Sequence, residues 1–432
     1  MSHFLLQVRG GAIFSRFTGQ LKRRFQRSRI WCPHSVMLWL LVLTMPNRKN
    51  TYRPALRKVG VWGKRHFGWS KTPSLASIAE ARKKLSVTTC RQFLQTVVAQ
   101  VDEQCGARQL FNGRRLIAFD GTRLITQHSQ DTTDKLHRYP RSNGSLTHNP
   151  QALMVMAVDI ERRLPLDWVV TGKGIGETKA IEQLLDTIEI RPGDIAVLDR
   201  GYTSKKLYSA LRKRGIDVVI RMKTEGKTCW KELKTFTKKK SKNAEVSITF
   251  KKEKGREHQE PMRARFIERN KKPGPAKKGK VKERMVLLTS LEATDGFDRA
   301  ALLKIYQARW GVETLFRELK SFLDVEPFHG TTVQACEQEI AASLIWMALA
   351  THLQTEAEAR MKNRRVLRSD CLRYAADHVD VFFRNGSPPE NVEDDINALI
   401  HLSSYANSEE IRSFPRECKM PYGRSIQRGR AK

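Results

Sequence analysis

Residues 306–320 have the sequence YQARWGVETLFRELK. The stretch has no proline and one glycine, so it predicts one helix of about four turns. The spacing places four polar side chains on nearly one helix face: Tyr306, Arg309, Glu313 and Lys320. Four apolar side chains are available to pack elsewhere: Leu303, Trp310, Leu315 and Leu319. Two interpretations fit the polar face, a solvated surface with an i, i+4 ion pair or a metal-binding carboxylate flanked by phosphate-binding groups.

The composition indicates a polyanionic partner. The chain has 432 residues and a formal charge of +34, from 79 Lys and Arg against 45 Asp and Glu. Nucleic acid is the expected partner because each neutralised phosphate also releases counterions, and an anionic membrane surface is the alternative. The longest mainly apolar run, residues 36–45, is too short to span a bilayer and lies too far from the start for a signal peptide. We expect it to be a buried helix.

The seven cysteines are odd in number and widely scattered, and none forms a Cys-x-x-Cys pair. This pattern favours neither a zinc site nor a disulfide framework. A reducing cytoplasm is the expected compartment.

Residues 1–110 are basic and predicted to be mostly helical, with an arginine-rich segment at residues 22–29. Apolar residues at helical spacing predict helices over residues 74–85 and 88–105, the first with a serine cap. Two consecutive helices in a basic region fit a DNA-binding module, and they fit a plain helical hairpin equally well in pattern. The overall charge favours the DNA-binding interpretation.

From residue 114 the hydrophobic period changes to that of strands. Residues 115–122 form a short apolar run that ends at Asp120 and is followed by a predicted turn. A long polar loop is expected over residues 127–150. The elements expected after it are strands 152–160 and 164–171, helix 177–188, strand 195–198 ending at Asp199, helix 204–214 and strand 216–220. An antiparallel meander followed by crossover units predicts an α/β fold with a mixed sheet and helices on its faces.

A glycine-rich turn at residues 172–176 follows a strand and opens a helix, with Asp199 further on, as in a dinucleotide-binding fingerprint. However, the third glycine comes one residue early, position 177 is Glu, and the preceding strands resemble a meander. The dinucleotide interpretation is therefore the weaker one.

Residues 223–284 carry 22 Lys and Arg against 8 Glu. Strand-like runs there predict a β-rich insertion with a cationic surface, and residues 271–282 are expected to be an exposed loop. Trp230 fits either a base-stacking side chain or a core tryptophan. Further on, we expect a long helix over residues 332–361, a last helix over residues 364–383 and a flexible basic tail over residues 412–432.

Three acids occur where the predicted elements could bring them together. Asp120 and Asp199 end predicted strands, and Glu313 lies on the helix described first. Magnesium prefers carboxylates together with substrate phosphate and water, and two such ions assist phosphoryl displacement. Three converging acids in a strongly basic chain fit this chemistry.

The four-residue pattern Tyr-x2-Arg-x3-Glu-x6-Lys within residues 306–320, with the Asp-Gly-Thr motif from Asp120 and the Asp-Arg-Gly-Tyr motif from Asp199, resembles the DDE transposases of bacterial insertion-sequence family four. The similarity runs from about residue 74 to about residue 349. It implies a ribonuclease-H-like core whose sheet is interrupted, before the glutamate helix, by a mostly β insertion.

The resemblance implies that Asp120, Asp199 and Glu313 bind two Mg²⁺ ions, with Mn²⁺ as a substitute. It implies hydrolysis at the transposon end, followed by attack of the freed 3′-OH on the opposite strand or on target DNA. Tyr306, Arg309 and Lys320 would hold the phosphates of the transposon end. Arg200 would also contact the DNA. The family's base-stacking tryptophan position is Met285 here, and methionine stacks poorly, which argues against a hairpin intermediate.

The resemblance further implies a cytoplasmic, nucleoid-associated bacterial protein with no membrane partner. It would act as a homodimer or larger assembly on terminal inverted repeats and target DNA. A catalytically inactive DNA-binding relic and, remotely, a dinucleotide-dependent oxidoreductase are the alternatives. The expected segments are an N-terminal helical, basic, DNA-binding domain (1–112), a first core part (113–222), the basic insertion (223–284), a second core part with the glutamate helix (285–365), and a C-terminal helical region with a basic tail (366–432).

Overall fold

The structure of the protein is a computed structural model. It describes residues 30–46, 50–66, 68–108, 111–224, 229–239, 241–250, 260–269, 285–326, 328–361, 364–379 and 392–406, together with Phe25 and Gly226. The predictions for residues 271–282 and 412–432, and for all of residues 22–29 except Phe25, lie outside the described residues.

The described part of residues 1–110 is mostly helical, as predicted. The apolar run forms a helix in which all residues except His34 are buried. The next two predicted helices begin at serine caps, where Ser74 accepts a hydrogen bond from the Ser77 N–H and Ser86 from the Thr89 N–H. The bounds are α1 (Pro33–Leu43), α2 (Tyr52–His66), α3 (Leu75–Lys84) and α4 (Val87–Gln104).

The core sheet begins with three antiparallel strands, and the next two strands run parallel to the first. The order is β3-β2-β1-β4-β5, with β4 beside β1 and β5 beside β4. This mixed arrangement with flanking helices is the predicted ribonuclease-H-like α/β fold. The elements are β1 (Leu116–Ile125), α5 (Gln130–Lys135), β2 (Gln151–Asp159), β3 (Leu164–Thr171), α6 (Glu177–Leu185), β4 (Ile195–Leu198), α7 (Lys205–Lys213) and β5 (Asp217–Arg221).

The basic insertion extends this same sheet. Its two strands pair with each other and join the core through the strand that follows them, giving the full order β3-β2-β1-β4-β5-β8-β7-β6. Buried aromatic side chains such as Phe236 and Phe266, 5.4 Å apart between ring centroids, anchor the insertion's helix to its strands. The elements are α8 (Lys231–Lys238), β6 (Asn243–Ile248), β7 (Met262–Glu268) and β8 (Val286–Thr289).

The predicted helix over residues 306–320 is divided into consecutive segments. These are α9 (Arg299–Ala308), α10 (Trp310–Arg317) and a π-helical turn (Glu318–Phe322), and Arg309 at the junction keeps helical dihedral angles. Leu315 and Leu319 are buried as expected. Trp310 is 55% exposed, so it packs into no core.

Helix α11 (Val333–Ala359) is buried along most of its length and packs against α4 and α1. A buried polar network fixes its start. Arg82 of α3 donates to Gln338 at 2.7 Å and to Glu339 at 2.6 Å, and Glu339 also accepts from the His329 N–H at 2.9 Å. The network ties the N-terminal helices to the C-terminal half of the chain, because these residues are about 250 positions apart.

The C-terminal prediction was partly wrong. The single helix expected over residues 364–383 is a short strand followed by a helix, and a further helix and strand return to pair with that strand. The elements are β9 (Arg364–Val366), α12 (Arg368–Asp377), α13 (Val392–Ser403) and β10 (Ser404–Ala406).

Within the described part of the chain, no helix is both long enough and apolar enough to cross a bilayer. The described cysteines are all free thiols.

Candidate active site

Three acidic residues reach one edge of the sheet. The last parallel pair between β1 and β4 is Ala118 with Val197. Asp120 and Asp199, each two residues further on, therefore lie at the same level of neighbouring strands. Helix α10 packs against β1 and carries Glu313.

The prediction that Asp120 ends its strand was wrong. Strand β1 continues to Ile125 because β2 remains paired with it, with Asp120 opposite Met156. Gly121, expected in a turn, is therefore extended strand. The acid is exposed to the site because the pairing of β1 with β4, on the other side, ends two residues earlier, at Ala118.

Arg309 lies between Glu313 and Asp120. Its Nη2 donates to Glu313 Oε1 at 2.8 Å, and its Nη1 lies 3.5 Å from Asp120 Oδ2. Its charge also lowers the pKa of Asp199. The residue is only 8% exposed, and its buried Nε has no hydrogen-bond partner among the described residues. One guanidinium thus pairs with carboxylates from β1 and α10, and its charge acts on the third acid, Asp199.

Tyr306 holds the second acid. Its hydroxyl donates to Asp199 Oδ1 at 2.7 Å, and its ring lies 5.9 Å from the Arg309 guanidinium carbon. Burial would by itself raise the pKa of Asp199, but this hydrogen bond, the backbone N–H of Arg200 and the nearby guanidinium hold that pKa below its usual range. Burial and the Asp199 carboxylate raise the pKa of Tyr306 to about 12, so the phenol remains a donor.

Asp120 has the opposite electrostatic environment. Burial raises its pKa, the negative charge of Glu177 adds to this effect, and Arg309 and the Gly121 N–H only partly offset it. Two aspartates on neighbouring strands therefore differ in their cost of holding a negative charge.

The sequence of this core matches a known family. Residues 111–349, more than half of the chain, match the family model described as the transposase DDE domain. The chain belongs to the DDE transposase family. The match covers β1, β4 and the helix of Glu313, so the three acids lie within the family's domain.

A solved structure, described as the cryo-EM structure of the piggyBac transposase synaptic complex with hairpin DNA, is similar to this transposase. The two chains share 12% identity with a TM-score of 0.42, over 93% of this chain and 75% of that chain. This level of likeness says nothing about the activity of the present chain. No curated protein matches significantly.

DDE transposases use divalent metal ions. In this conformation, the described residues contain no group of three or more His, Cys, Asp or Glu side chains close enough to hold a metal ion together. The donor set nevertheless fits a hard divalent cation, because it consists of carboxylate oxygens, two of which already pair with one cationic group. The Arg309 guanidinium is the stand-in cation in this arrangement.

Two other predicted DNA-contacting cations flank the acids. Lys320 donates to the Arg123 carbonyl, beyond Asp120 on β1, and lies 3.4 Å from Glu326. Arg200 is exposed in the single turn that directly follows Asp199. Both lie beside the site, and their contacts with DNA stay predictions.

The two predicted base-stacking positions differ. Met285 is half-buried and directly precedes β8. The start of β8 lies beside the end of β5, and β5 is the neighbour of β4, the strand that leads to Asp199. Trp230 is only 7% exposed, and its indole N–H donates to the Thr203 carbonyl at 3.1 Å. The structure thus favours the core-tryptophan interpretation for Trp230, because a base cannot stack on a covered ring.

Sequence reasoning missed two residues of the site. The Tyr202 hydroxyl donates to Glu177 Oε2 at 2.6 Å and lies 3.3 Å from Asp120 Oδ1. Tyr202 is the last residue of the Asp-Arg-Gly-Tyr motif, and that motif was the sequence signal that could have placed it in the site. Glu177 was noted only as a departure from the dinucleotide fingerprint, and its carboxylate at the helix start is incompatible with a pyrophosphate there. The sheet agrees, because the strand before that turn is an antiparallel edge strand.

Proposed function

We propose that the chain is the transposase of an insertion sequence of family four and that it cuts DNA at the transposon ends and joins the freed 3′-OH to target DNA. The single observation that supports this best is that one guanidinium pairs with both Asp120 and Glu313, while Asp199 lies level with Asp120 on the neighbouring strand. A formal charge of +34 supplies the attraction for DNA.

In this proposal Asp120, Asp199 and Glu313 hold two Mg²⁺ ions, and Mn²⁺ substitutes for them. When bound, such ions activate the attacking oxygen and stabilise the leaving oxygen of the scissile phosphate. The carboxylates contribute position and charge. Asp199, whose pKa is held low, is ionised at neutral pH without further help.

Arg309 and Tyr306 would exchange partners when DNA and metal bind. In the structure the Tyr306 hydroxyl holds Asp199 and the Arg309 guanidinium neutralises Glu313. With Asp120 and Glu313 holding metal, the Arg309 guanidinium would no longer be needed as their counter-charge and would be available to bind a DNA phosphate. Lys320 lies beside them with an amine suited to a neighbouring phosphate.

The proposed division of labour follows the segments predicted from sequence. The N-terminal region (1–112) and the basic insertion (223–284) would bind DNA, and two copies would assemble on the paired ends. The insertion supports this role through its charge, 22 Lys and Arg against 8 Glu. The protein would act in the cytoplasm, where the bacterial DNA lies.

The test is cleavage of a labelled duplex that carries the element's own ends, in Mg²⁺, by the wild type and by Glu313→Gln. We expect end-specific nicking by the wild type and none by Glu313→Gln, with salt-sensitive DNA binding retained by both. Glu292→Gln, an exposed position in the loop after β8, is the matched control and should cut normally. If the wild type binds the ends but never cuts them, the inactive-relic interpretation replaces this one.

A further inference from the structure

A fourth carboxylate lies against Asp120. Glu177, the first residue of α6, shares a single phenol with it: the Tyr202 hydroxyl is 2.6 Å from Glu177 Oε2 and 3.3 Å from Asp120 Oδ1. Because both distances are measured from one phenol oxygen, the separation of Glu177 Oε2 and Asp120 Oδ1 is at most their sum. The charge of Glu177 also contributes to the raised pKa of Asp120.

Gly121 makes this approach possible. A Cβ atom at position 121 would lie 2.7 Å from the carboxyl carbon of Glu177 and 2.9 Å from its Oε1. Any side chain there would push the carboxylate away from β1. The glycine of the Asp-Gly-Thr motif is thus explained by the space that Glu177 occupies, because the residue lies in extended strand and needs no special backbone angle.

The local hydrogen bonds leave negative charge uncompensated. A phenol has one proton, and the shorter contact assigns it to Glu177, so the Tyr202 oxygen presents a lone pair to Asp120. Glu177 Oε1 accepts no hydrogen bond among the described residues. Arg309, the cation nearest Asp120, is already shared with Glu313. Two carboxylates beside one shared guanidinium therefore carry a net negative charge, which a divalent cation would balance.

The geometry points to Glu177 as a fourth carboxylate of the metal site, which places Oε1 beside Asp120 for a divalent ion while Tyr202 holds Oε2. This inference rests on the proposed function, because it adds one ligand to the three acids proposed there. A purely structural role is the competing explanation, since an acid in the first turn also stabilises a helix through its dipole.

The test is Mn²⁺ binding by the full-length protein without DNA, measured from the electron paramagnetic resonance signal of free Mn²⁺. Glu177→Gln keeps the size of the side chain and its contact with Tyr202 but removes the charge. We expect it to weaken Mn²⁺ binding about tenfold or more. Gly121→Ala, which displaces the carboxylate without changing any acid, should weaken binding in the same direction.

Glu182→Gln is the matched control, because Glu182 lies on the same helix and pairs with Lys206 at 3.0 Å on the surface. It should bind Mn²⁺ as the wild type does. Circular dichroism of each variant distinguishes lost binding from lost folding, and unchanged Mn²⁺ affinity in folded Glu177→Gln would overturn the inference.

Asp120→Asn, titrated in parallel, separates this inference from the proposed function. If Asp120→Asn loses Mn²⁺ and Glu177→Gln does not, only the role of Glu177 is wrong. If Asp120→Asn binds like the wild type, or if the wild type binds no Mn²⁺, the three-acid site itself is wrong and the inference fails with it.

Discussion

Replacing Arg309 by Gln should make the stability of the protein depend on divalent metal. Arg309 is the cation shared by Glu313, at 2.8 Å, and Asp120, at 3.5 Å, and its side chain is 10% exposed. Its removal leaves carboxylates facing one another without a counter-charge. A divalent ion can restore that charge, which glutamine cannot.

The expected loss follows from the burial of these groups. Breaking a buried ion pair by removing one partner costs about 3–5 kcal/mol. The loss here should lie at or below the lower end, about 2–3 kcal/mol, because the Glu313 side chain is 34% exposed and Asp120 23% exposed. A metal present at 100 times its dissociation constant returns about 2.7 kcal/mol, so saturating Mg²⁺ should restore most of the loss.

Thermal unfolding with EDTA and with Mg²⁺ measures this effect. Arg309→Gln should unfold at a lower temperature than the wild type in EDTA and should recover in Mg²⁺. Arg317→Gln, an exposed arginine on the same helix, should differ little from the wild type in either condition. Equal stability of Arg309→Gln and the wild type in EDTA, or an equal Mg²⁺ effect on both Arg variants, would refute the reasoning.

Three further predictions concern stability and DNA binding. Burial raises the pKa of Glu337 to about 7, so folding favours its protonated form and the wild type loses stability as the pH rises through 7. Glu337→Gln should therefore be more stable than the wild type at pH 8, by at most about 3 kcal/mol, and by much less at pH 5, as measured by thermal unfolding, whereas exposed Glu80→Gln should show no such gain. Trp346→Ala should lose about 3–5 kcal/mol in denaturant unfolding, because the ring is fully buried and its N–H bonds the Leu41 carbonyl, and a loss below about 1 kcal/mol would contradict that packing. Lys320→Ala should lower the salt slope of DNA binding by about one in a filter-binding titration, and an unchanged slope would remove its phosphate contact.

The sequence predicted the order of the core elements because the spacing of apolar residues along the chain shows directly which faces are buried. Residues 36–45 became the buried α1, and the meander followed by crossover units became the mixed sheet. The polar loop over residues 127–150 contains α5, which hydrophobic period cannot detect because that helix has no apolar face. Its signal was the capping box in which Ser129 and Thr132 exchange hydrogen bonds.

The arrangement of the site was less predictable. The sequence identified Asp120 and Glu313 as members of one site, and the i, i+4 spacing allowed the pair between Glu313 and Arg309. It did not indicate that Arg309 would also face Asp120, because that contact depends on the packing of α10 against β1. Glu177 was missed for the same reason, since only the folded sheet brings α6 to Asp120.

The most direct test of the central claim is cleavage of an end duplex in which sulfur replaces the 3′ oxygen that leaves the scissile phosphate. Sulfur binds Mg²⁺ poorly and softer ions better. If carboxylate-bound ions stabilise the leaving oxygen, the wild type should cut the sulfur substrate far more slowly than the normal one in Mg²⁺ and should recover in Mn²⁺. Equal loss of cleavage in both metals, or no loss in Mg²⁺, would contradict a metal-assisted reaction at Asp120, Asp199 and Glu313.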